Sequence, residues 1–190
     1  MRIIAGALRG RRIDAPRGRD TRPTTDRVRE SLFQHLEVAR LDGGFVDRHV
    51  LDLFAGSGAL GLEALSRGAA SVTFVDHGRA ALQCLQQNVT TLGVAAQATV
   101  VRGRLPAWLA RVSAPARGWD LVFADPPYAR DGIDDVLVAL RPHVTDDAWV
   151  VYEHAVNTAP TKVADGWAIV GDRSMGGTAY TFVRPESDSG

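Results

Sequence analysis

Apolar and polar positions along most of the chain follow two alternating patterns. Nearly continuous apolar runs predict strands, and they occur at residues 50–55, 71–75, 98–101, 119–125 and 148–153. Amphipathic stretches with helical spacing lie between these runs, at residues 59–65, 79–92, 105–112 and 134–140. Five strand–helix steps of this kind predict a doubly wound parallel α/β sheet. The run at 119–125 is so continuously apolar that both of its faces should be buried.

The C-terminal part of the chain departs from this alternation. Apolar runs at 167–170 and 178–183 have only a loop around Gly176 and Gly177 between them, which leaves no room for a helix. Two such strands should pair as an antiparallel hairpin. We therefore expect a Rossmann-like sheet of seven strands, one of them antiparallel.

The N-terminal part should form a small extension of this sheet. Residues 2–13 predict a β-hairpin around turn glycines with arginines at its tip. Residues 16–23 are rich in turn-forming residues, and Thr24 or Thr25 should cap a helix that continues to residue 38.

Length and glycine content suggest where the parts of the chain divide. A chain of 190 residues that is 45% hydrophobic suits one domain with an appendage. We expect an N-terminal extension over residues 1–42, a main domain over 43–185 that begins after Gly43 and Gly44, and a disordered polar tail over 186–190.

Cysteine content and hydropathy exclude several classes of protein. Cys84 is the only cysteine, so the chain has neither an intrachain disulfide nor a cysteine-rich metal site, and we expect no metal. Its place on the apolar side of a predicted helix indicates a buried core thiol. Because no apolar run approaches about 18 residues and no signal-peptide pattern opens the chain, a cytoplasmic protein without membrane contact is expected.

Positive charge is concentrated near the N-terminus although the formal net charge is zero. Residues 1–30 carry nine arginines against four acidic residues. The arginines alternate with turn glycines instead of covering a helix face, which favours a phosphate-binding patch over an ordinary solvated surface. The arginines proposed for this patch are Arg2, Arg9, Arg11, Arg12, Arg22, Arg27 and Arg29.

A glycine turn joins the first predicted strand to the first helix of the main domain. Gly56 and Gly58 permit a tight turn that a ligand can approach, and Gly61 allows the helix to pack close to the strand. Asp76 follows Gly56 by twenty residues and ends the next strand, where its carboxylate can accept hydrogen bonds from ribose hydroxyls. The alternative is a turn shaped only by packing.

A second group of candidate residues, Asp125-Pro126-Pro127-Tyr128, follows the fourth strand. Two prolines make this turn stiff and remove two backbone donors, so it presents mainly acceptors. Such a rim suits a substrate with an exocyclic amine, and Tyr128 offers a ring on which a base can stack. The alternative is a turn in which Asp125 caps the next helix and Tyr128 packs. Ligands of doubly wound sheets bind beyond the carboxyl ends of central strands, so both groups should face one pocket.

These motifs resemble a known class of enzymes. Residues 53–61 together with Asp125-Pro126-Pro127-Tyr128 resemble the class I S-adenosylmethionine-dependent amino-methyltransferases. The whole chain is similar to a bacterial family that methylates the N2 amine of one guanine in 16S ribosomal RNA, the small-subunit guanine-966 methyltransferases. This closer similarity rests on residues 2–11, 22–33 and 51–69.

The resemblance implies a role for individual residues. S-Adenosylmethionine would lie against Asp52, Phe54, Gly56, Ser57, Gly58, Asp76, His77 and Arg104. Asp125 and Pro126 would hold the target amine and Tyr128 the flipped guanine. Pro127, Thr24 and the arginines of the N-terminal patch would contact RNA, with residues 22–30 closing over the site. The acid that often binds adenine after the third strand is absent, so backbone near Arg104 would take that role.

The resemblance also implies a partner and a setting. The substrate would be 16S rRNA in an assembled or partly assembled 30S subunit during ribosome biogenesis, and the enzyme would act as a monomer.

Other functions remain open at this point. Residues 56–61 also match the GxGxxG pattern of NAD-dependent oxidoreductases, which would leave Asp125-Pro126-Pro127-Tyr128 unexplained. A DNA adenine-N6 methyltransferase shares that second motif but should carry a target-recognition segment, for which no insertion is long enough. Protein glutamine methylation fits the basic N-terminus poorly, and a non-catalytic RNA-binding module would not need an intact cofactor pocket.

Overall fold

The computed structural model describes residues 1–16, 25–126, 133–175 and 177–186. Its helices are α1 (Asp26–Ala39), α2 (Ala59–Ser66), α3 (Arg79–Leu92) and α4 (Asp134–Leu140). Its strands are β1 (His49–Leu53), β2 (Ser71–Asp76), β3 (Ala98–Arg102), β4 (Trp119–Ala124), β5 (Val144–Ala155), β6 (Trp167–Met175) and β7 (Thr178–Pro185).

The strands form one seven-stranded sheet in the order β3-β2-β1-β4-β5-β7-β6. The pairs among β3, β2, β1, β4 and β5 are parallel, whereas β7 runs antiparallel to both β5 and β6. This arrangement confirms the predicted Rossmann-like sheet with one antiparallel strand. It also confirms the C-terminal hairpin, since β6 and β7 are consecutive in the chain and paired.

Each face of the sheet carries its own hydrophobic core. Leu121 and Phe123 of β4 belong to the core covered by α1, α2 and α3, while Val122 and Ala124 belong to the core on the α4 side. Every residue of β4 is buried. The prediction that both faces of this strand are covered is therefore confirmed.

Helix α1 joins the N-terminal extension to the sheet. Thr25 is its N-cap, and the Thr25 hydroxyl accepts a hydrogen bond from the backbone N–H of Val28 at 3.3 Å, as the sequence predicted. The ring of Phe33 lies 5.1 Å from that of Phe45 and 5.6 Å from that of Phe123. The extension thus shares one core with the sheet, and the division at residue 42 stays a prediction.

The N-terminal segment is antiparallel but does not form regular strands. One bridge joins Arg2 to Arg12, and the backbone N–H of Ile3 donates to the carbonyl of Arg11 at 2.9 Å. Ile3 and Ile13 are buried in the core shared with α1. We call residues 1–16 the N-terminal arm. The predicted hairpin is present as this antiparallel pairing, although only Arg2 and Arg12 form a bridge and the regular strands expected on either side of the turn are absent.

Glu63 fixes the N-terminal arm to α2. Its side chain is fully buried, and its carboxylate accepts hydrogen bonds from the backbone N–H groups of Ile4 at 2.7 Å and Ala5 at 3.0 Å. The same carboxylate pairs with Nε of Arg67 at 2.9 Å. A buried charge is stable only when paired in this way. Sequence reasoning did not identify this contact.

Two local predictions differ from the structure. The helix expected over residues 105–112 is a 3-10 turn at Leu109–Arg111, because Pro106 has no N–H to donate and the segment is too short to propagate an α-helix. Cys84 is half-buried, and its thiol donates to the carbonyl of Asp14 at 3.3 Å, so it is not a core thiol.

Within the described ranges, none of the helices combines the length and the apolar composition that a bilayer crossing requires.

Replacing Glu63 tests how the N-terminal arm is held. We expect Glu63→Ala to lower the free energy of unfolding by about 3 kcal/mol, because two backbone donors and the Arg67 guanidinium, whose side chain is 7% exposed, lose their acceptor. Urea denaturation measures this change. Glu37→Ala is the control, since Glu37 is an exposed partner of the same Arg67 and should contribute about 1 kcal/mol or less. Equal losses in the two variants would contradict the role given to Glu63.

Candidate active site

The backbone after β1 turns sharply through three left-handed positions. Phe54 has φ = 59°, Gly56 has φ = 57° and Gly58 has φ = 79°. A left-handed conformation at a bulky residue such as Phe54 costs about 1–2 kcal/mol, and strain of this kind concentrates at ligand sites. Phe54 is held there by packing against the core on the α4 side.

The glycines of this turn have different tasks. A Cβ at Gly58 would lie 3.3 Å from side-chain atoms of Leu62 and Phe74, and one at Gly61 would lie 2.7 Å from Cγ1 of Val72. These two glycines therefore allow α2 to pack against β2, as predicted for Gly61. Among the described residues, a Cβ at Gly56 would meet nothing closer than the Phe54 carbonyl at 3.8 Å. Packing against these residues therefore does not explain Gly56.

The Asp76 carboxylate joins two loops at the carboxyl end of the sheet. It is buried at the end of β2, where Oδ2 accepts from the N–H of Gly56 at 2.9 Å and Oδ1 from that of Gly78 at 2.7 Å. Each carboxylate oxygen has a second lone pair, so both can also accept a hydroxyl. His77 lies beside it, with Nδ1 3.9 Å from Oδ1.

The backbone after β3 lies next to the end of β2. Arg102 of β3 lies opposite Asp76 of β2 in the parallel register, and the backbone N–H of Gly103 donates to the backbone carbonyl of Asp76 at 3.0 Å. Arg104 follows directly and its side chain is exposed. The structure thus brings Arg104 to the same edge as Asp76, where sequence reasoning placed adenine recognition by backbone.

Asp52 lies beneath the glycine turn and is 3% exposed. Its Oδ2 accepts from the N–H of Gly61 at 2.9 Å. Burial raises the pKa of Asp52 to about 8; the hydrogen bond from Gly61 opposes this shift, and the charges of Asp125 and Asp76 add to it. Asp52 is therefore protonated at neutral pH, and three carboxyl groups share this end of the sheet.

Sheet register brings Asp125 to the glycine turn. Leu53 of β1 is paired with Ala124 of β4, so the next residues, Phe54 and Asp125, leave the sheet side by side. Asp125 and Pro126 are both half-buried. The convergence of these two strand ends, which sequence reasoning required, is present. Pro127 and Tyr128 lie outside the described residues.

Two residues near the site were missed by sequence reasoning. Tyr152 is paired with Ala124, and burial raises its pKa, with further contributions from Asp134 and Asp125. The Asn88 amide nitrogen donates to the carbonyls of Ser57 at 2.9 Å and Asp14 at 3.0 Å, which ties the glycine turn to the N-terminal arm. The sequence did contain a signal for Asn88, since it is a polar residue on the apolar side of α3.

The predicted arginine patch separates into exposed and structural members. Arg9, Arg12 and Arg27 are exposed, and Arg2 is 68% exposed while it pairs with Asp26 at 3.1 Å. Arg22 and Thr24 lie outside the described residues.

Two of the predicted RNA-contacting arginines are bonded within the protein. The guanidinium of Arg11 donates to the carbonyls of Leu92, at 3.0 Å, and Thr91 at the end of α3. Arg29 is only 1% exposed and donates to the Arg2 carbonyl and to Asp26. The prediction that Arg29 contacts RNA was wrong. Its guanidinium is enclosed by the chain and has a structural role.

The raised pKa of Asp52 predicts a pH dependence of stability. From about pH 4 to about pH 8 the unfolded chain loses a proton that the folded chain keeps, so the free energy of unfolding falls as pH rises. This contribution is fully present below the unfolded pKa of 3.8 and is lost as pH rises through the folded value of about 8. Asp52→Asn should remove this slope while keeping an acceptor for Gly61. Thermal unfolding across this pH range measures it.

Asp42→Asn, at an exposed loop position, is the matched control for this measurement. If the free energy of unfolding changes with pH in parallel for the wild type and the Asp52→Asn variant from pH 4 to pH 8, the folded protein does not keep a proton on Asp52.

Comparison with known proteins places this arrangement among methyltransferases. A family model described as "Conserved hypothetical protein 95" matches residues 1–184. Ribosomal RNA small subunit methyltransferase D of Escherichia coli K12 is 38% identical over 189 residues, which cover 98% of this chain and 91% of that protein. Putative rRNA methyltransferase YlbH of Bacillus subtilis is 38% identical over 156 residues, 81% and 82% of the two chains.

A solved structure shares the whole fold. The putative methyltransferase yhhF from Escherichia coli superimposes with a TM-score of 0.79 at 38% identity and covers 99% of both chains. The sheet and the N-terminal arm of this chain are therefore those of a methyltransferase structure over their full length.

Proposed function

Because this chain belongs to the family described as Conserved hypothetical protein 95, we propose that it transfers a methyl group from S-adenosylmethionine to the exocyclic N2 amine of a guanine in 16S rRNA. The names of its relatives support methylation of ribosomal RNA. The observation that carries the finer proposal is the register of β1 with β4, which sets Asp125 beside the glycine turn.

The residues at this end of the sheet fit S-adenosylmethionine. Gly56 leaves its backbone open, and Asp76 retains lone pairs for two ribose hydroxyls. Asp76 places negative charge at the edge where the positively charged cofactor would lie, and Asp52 adds a carboxyl group that is neutral at neutral pH. When bound, this cofactor supplies an electrophilic methyl group. Phe54, Ser57, Gly58, His77 and backbone near Arg104 complete the proposed binding residues.

Asp125 and Pro126 act on the target amine in this proposal. The guanine amine is a weak nucleophile because its lone pair is delocalised into the ring. Hydrogen bonds from its two N–H groups to the Asp125 carboxylate and the Pro126 carbonyl favour a lone pair aimed at the methyl carbon. As the methyl carbon leaves sulfur and bonds to the guanine nitrogen, these acceptors would stabilise the positive charge on nitrogen, and one proton would leave to Asp125 or to water.

The substrate base must leave its stack to reach this site. Unstacking costs a few kcal/mol and is cheapest in an unpaired loop, so a loop of 16S rRNA suits the site better than a duplex. Tyr128 would hold the flipped base, and Pro127, Thr24, Arg22 and Arg27 would line its approach. We propose that the protein acts as a monomer on an assembled or partly assembled 30S subunit.

Strand order favours this proposal over the dinucleotide alternative. NAD-binding sheets of the same type have the order 3-2-1-4-5-6. Here an antiparallel β7 is inserted between β5 and β6.

Substitution of Asp125 tests the catalytic proposal. Asp125→Ala should lower the methylation rate by at least about a hundredfold, since removal of one preorganised charge-stabilising group typically has this effect. Affinity for S-adenosylmethionine, measured by calorimetry, should change little. Asp134→Ala is the matched control, because Asp134 is an exposed carboxylate in the same neighbourhood. Turnover retained in the Asp125 variant would exclude Asp125 from the chemistry.

Charge reversal in the N-terminal arm tests RNA docking. Arg9→Glu with Arg12→Glu should weaken binding to 16S rRNA and reduce its salt dependence by about two units of slope, while cofactor affinity is unchanged. Both side chains are exposed, and Arg11 is left intact because it holds the end of α3. Reversal of Arg111 and Arg117, exposed before β4, is the control. RNA affinity equal to that control would show that the arm is not the docking surface.

A further inference from the structure

A second group of arginines gathers near the C-terminal end of α1, in residues that sequence analysis did not single out. We call it the arginine cluster, and it comprises Arg40, Arg173 and Arg184. Arg40 follows α1, Arg173 lies on β6 and Arg184 on β7. Arg173 is exposed, and the other two are half-buried.

Aromatic rings hold two of these guanidinium groups in place. The guanidinium carbon of Arg40 lies 5.0 Å from the ring of Trp149 and 5.2 Å from that of Phe182. Arg184 lies 4.8 Å from the same Trp149 ring. Cation–π contacts of this kind orient a guanidinium without neutralising it. Its hydrogen-bond donors therefore remain available to an anion.

Unlike Arg29 and Arg67, the arginine cluster has no carboxylate partner among the described residues. Arg29 and Arg67 pair with Asp26 and Glu63, respectively. Among the described residues, no carboxylate lies within 4.0 Å of Arg40, Arg173 or Arg184.

Two buried nitrogen atoms at the cluster also lack partners. Within the part of the chain that the structure describes, Nε of Arg40 and Nε2 of His35 have no hydrogen-bond partner, and the His35 ring lies 5.0 Å from that of Phe182. Burial lowers the pKa values of Arg40 and His35, and the charge of Arg173 lowers both further. An uncompensated group of like charges of this kind is stabilised by binding an anion.

We propose that the arginine cluster binds backbone phosphate of the RNA substrate, as a second docking surface in addition to the N-terminal arm. This inference rests on the proposed function, which supplies an RNA. Phosphate oxygens match the forked donors of guanidinium groups, and such contacts position an RNA without reading its sequence.

The position of the cluster agrees with this role. Trp149 and Phe182 belong to the same core as Ile3 and Ile13 of the N-terminal arm, on the face of the sheet that α1 covers. An RNA that contacts both docking surfaces would therefore lie across α1. Trp149 is only 7% exposed, so its ring supports the arginines and does not stack on a base.

Removal of two cluster charges tests the proposal. Binding of protein-free 16S rRNA is measured from 50 to 200 mM salt for the wild type, for Arg173→Gln with Arg184→Gln, and for the control Arg111→Gln with Arg117→Gln. The cluster variant should bind more weakly than the control, with a slope of log affinity against log salt that is shallower by about 1 to 2. Arg173→Lys with Arg184→Lys keeps the charges and should retain most of the slope.

Thermal unfolding of each variant identifies loss of folding. Arg173 is exposed, so Arg173→Gln alone provides the test if the double variant is unstable, with an expected change in slope of about 1.

The outcomes separate this inference from the proposed function. If the wild type methylates 16S rRNA neither as protein-free RNA nor within the 30S particle, the proposed function fails. If the wild type binds and methylates 16S rRNA and the cluster variants bind like the control, only the arginine cluster proposal is overturned. Normal binding to protein-free rRNA with weaker binding to the 30S particle would indicate a ribosomal protein as the partner, which also overturns the proposal.

Discussion

Parallel pairing of β1 between β2 and β4 is the constraint on which the candidate site depends. The three strands end at the same edge, so a glycine turn, Asp76 and Asp125 meet although they are far apart in the chain. Asp76 stabilises this arrangement of loops, since its carboxylate accepts hydrogen bonds from the backbone N–H groups of both Gly56 and Gly78. Burial at the same edge raises the pKa of Asp52 and keeps its proton bound, and the charges of Asp125 and Asp76 add to this effect. Geometry and electrostatics at the site therefore have one origin.

Buried polar groups attach the N-terminal arm to this frame. Glu63 binds the start of the arm through two backbone N–H groups, and Asn88 binds its end at Asp14 while also holding Ser57 of the glycine turn. Such contacts are strong because an unmade hydrogen bond is costly away from water. The proposed RNA-docking arm and the proposed cofactor turn are thus both hydrogen-bonded to Asn88 of α3.

Local sequence signals predicted the regular elements well. The bounds of α3 and α4, the cap at Thr25 and the antiparallel C-terminal hairpin were all confirmed. Errors arose where tertiary contacts replace regular hydrogen bonding. The two halves of the N-terminal arm pair antiparallel, but the backbone between them also donates to Glu63 and Ser66, and the segment after β3 turns under Trp108. No periodicity in the sequence reports such contacts.

The sequence by itself determined the sheet class, the glycine turn and the acidic residue at the end of each flanking strand, because strand periodicity and turn chemistry are local properties. Only the tertiary structure decided which arginines are buried, which are bonded within the protein and which are exposed. Arg11 and Arg29 belong to the same basic N-terminal stretch as Arg9 and Arg12. The guanidinium of Arg29 is enclosed by the chain, whereas that of Arg11 binds the end of α3. Arg40, Arg173 and Arg184 are far apart in the chain and meet through the packing of α1 against β7 and the β6–β7 pairing. Burial and proximity depend on which elements pack together, and that is a property of the folded chain.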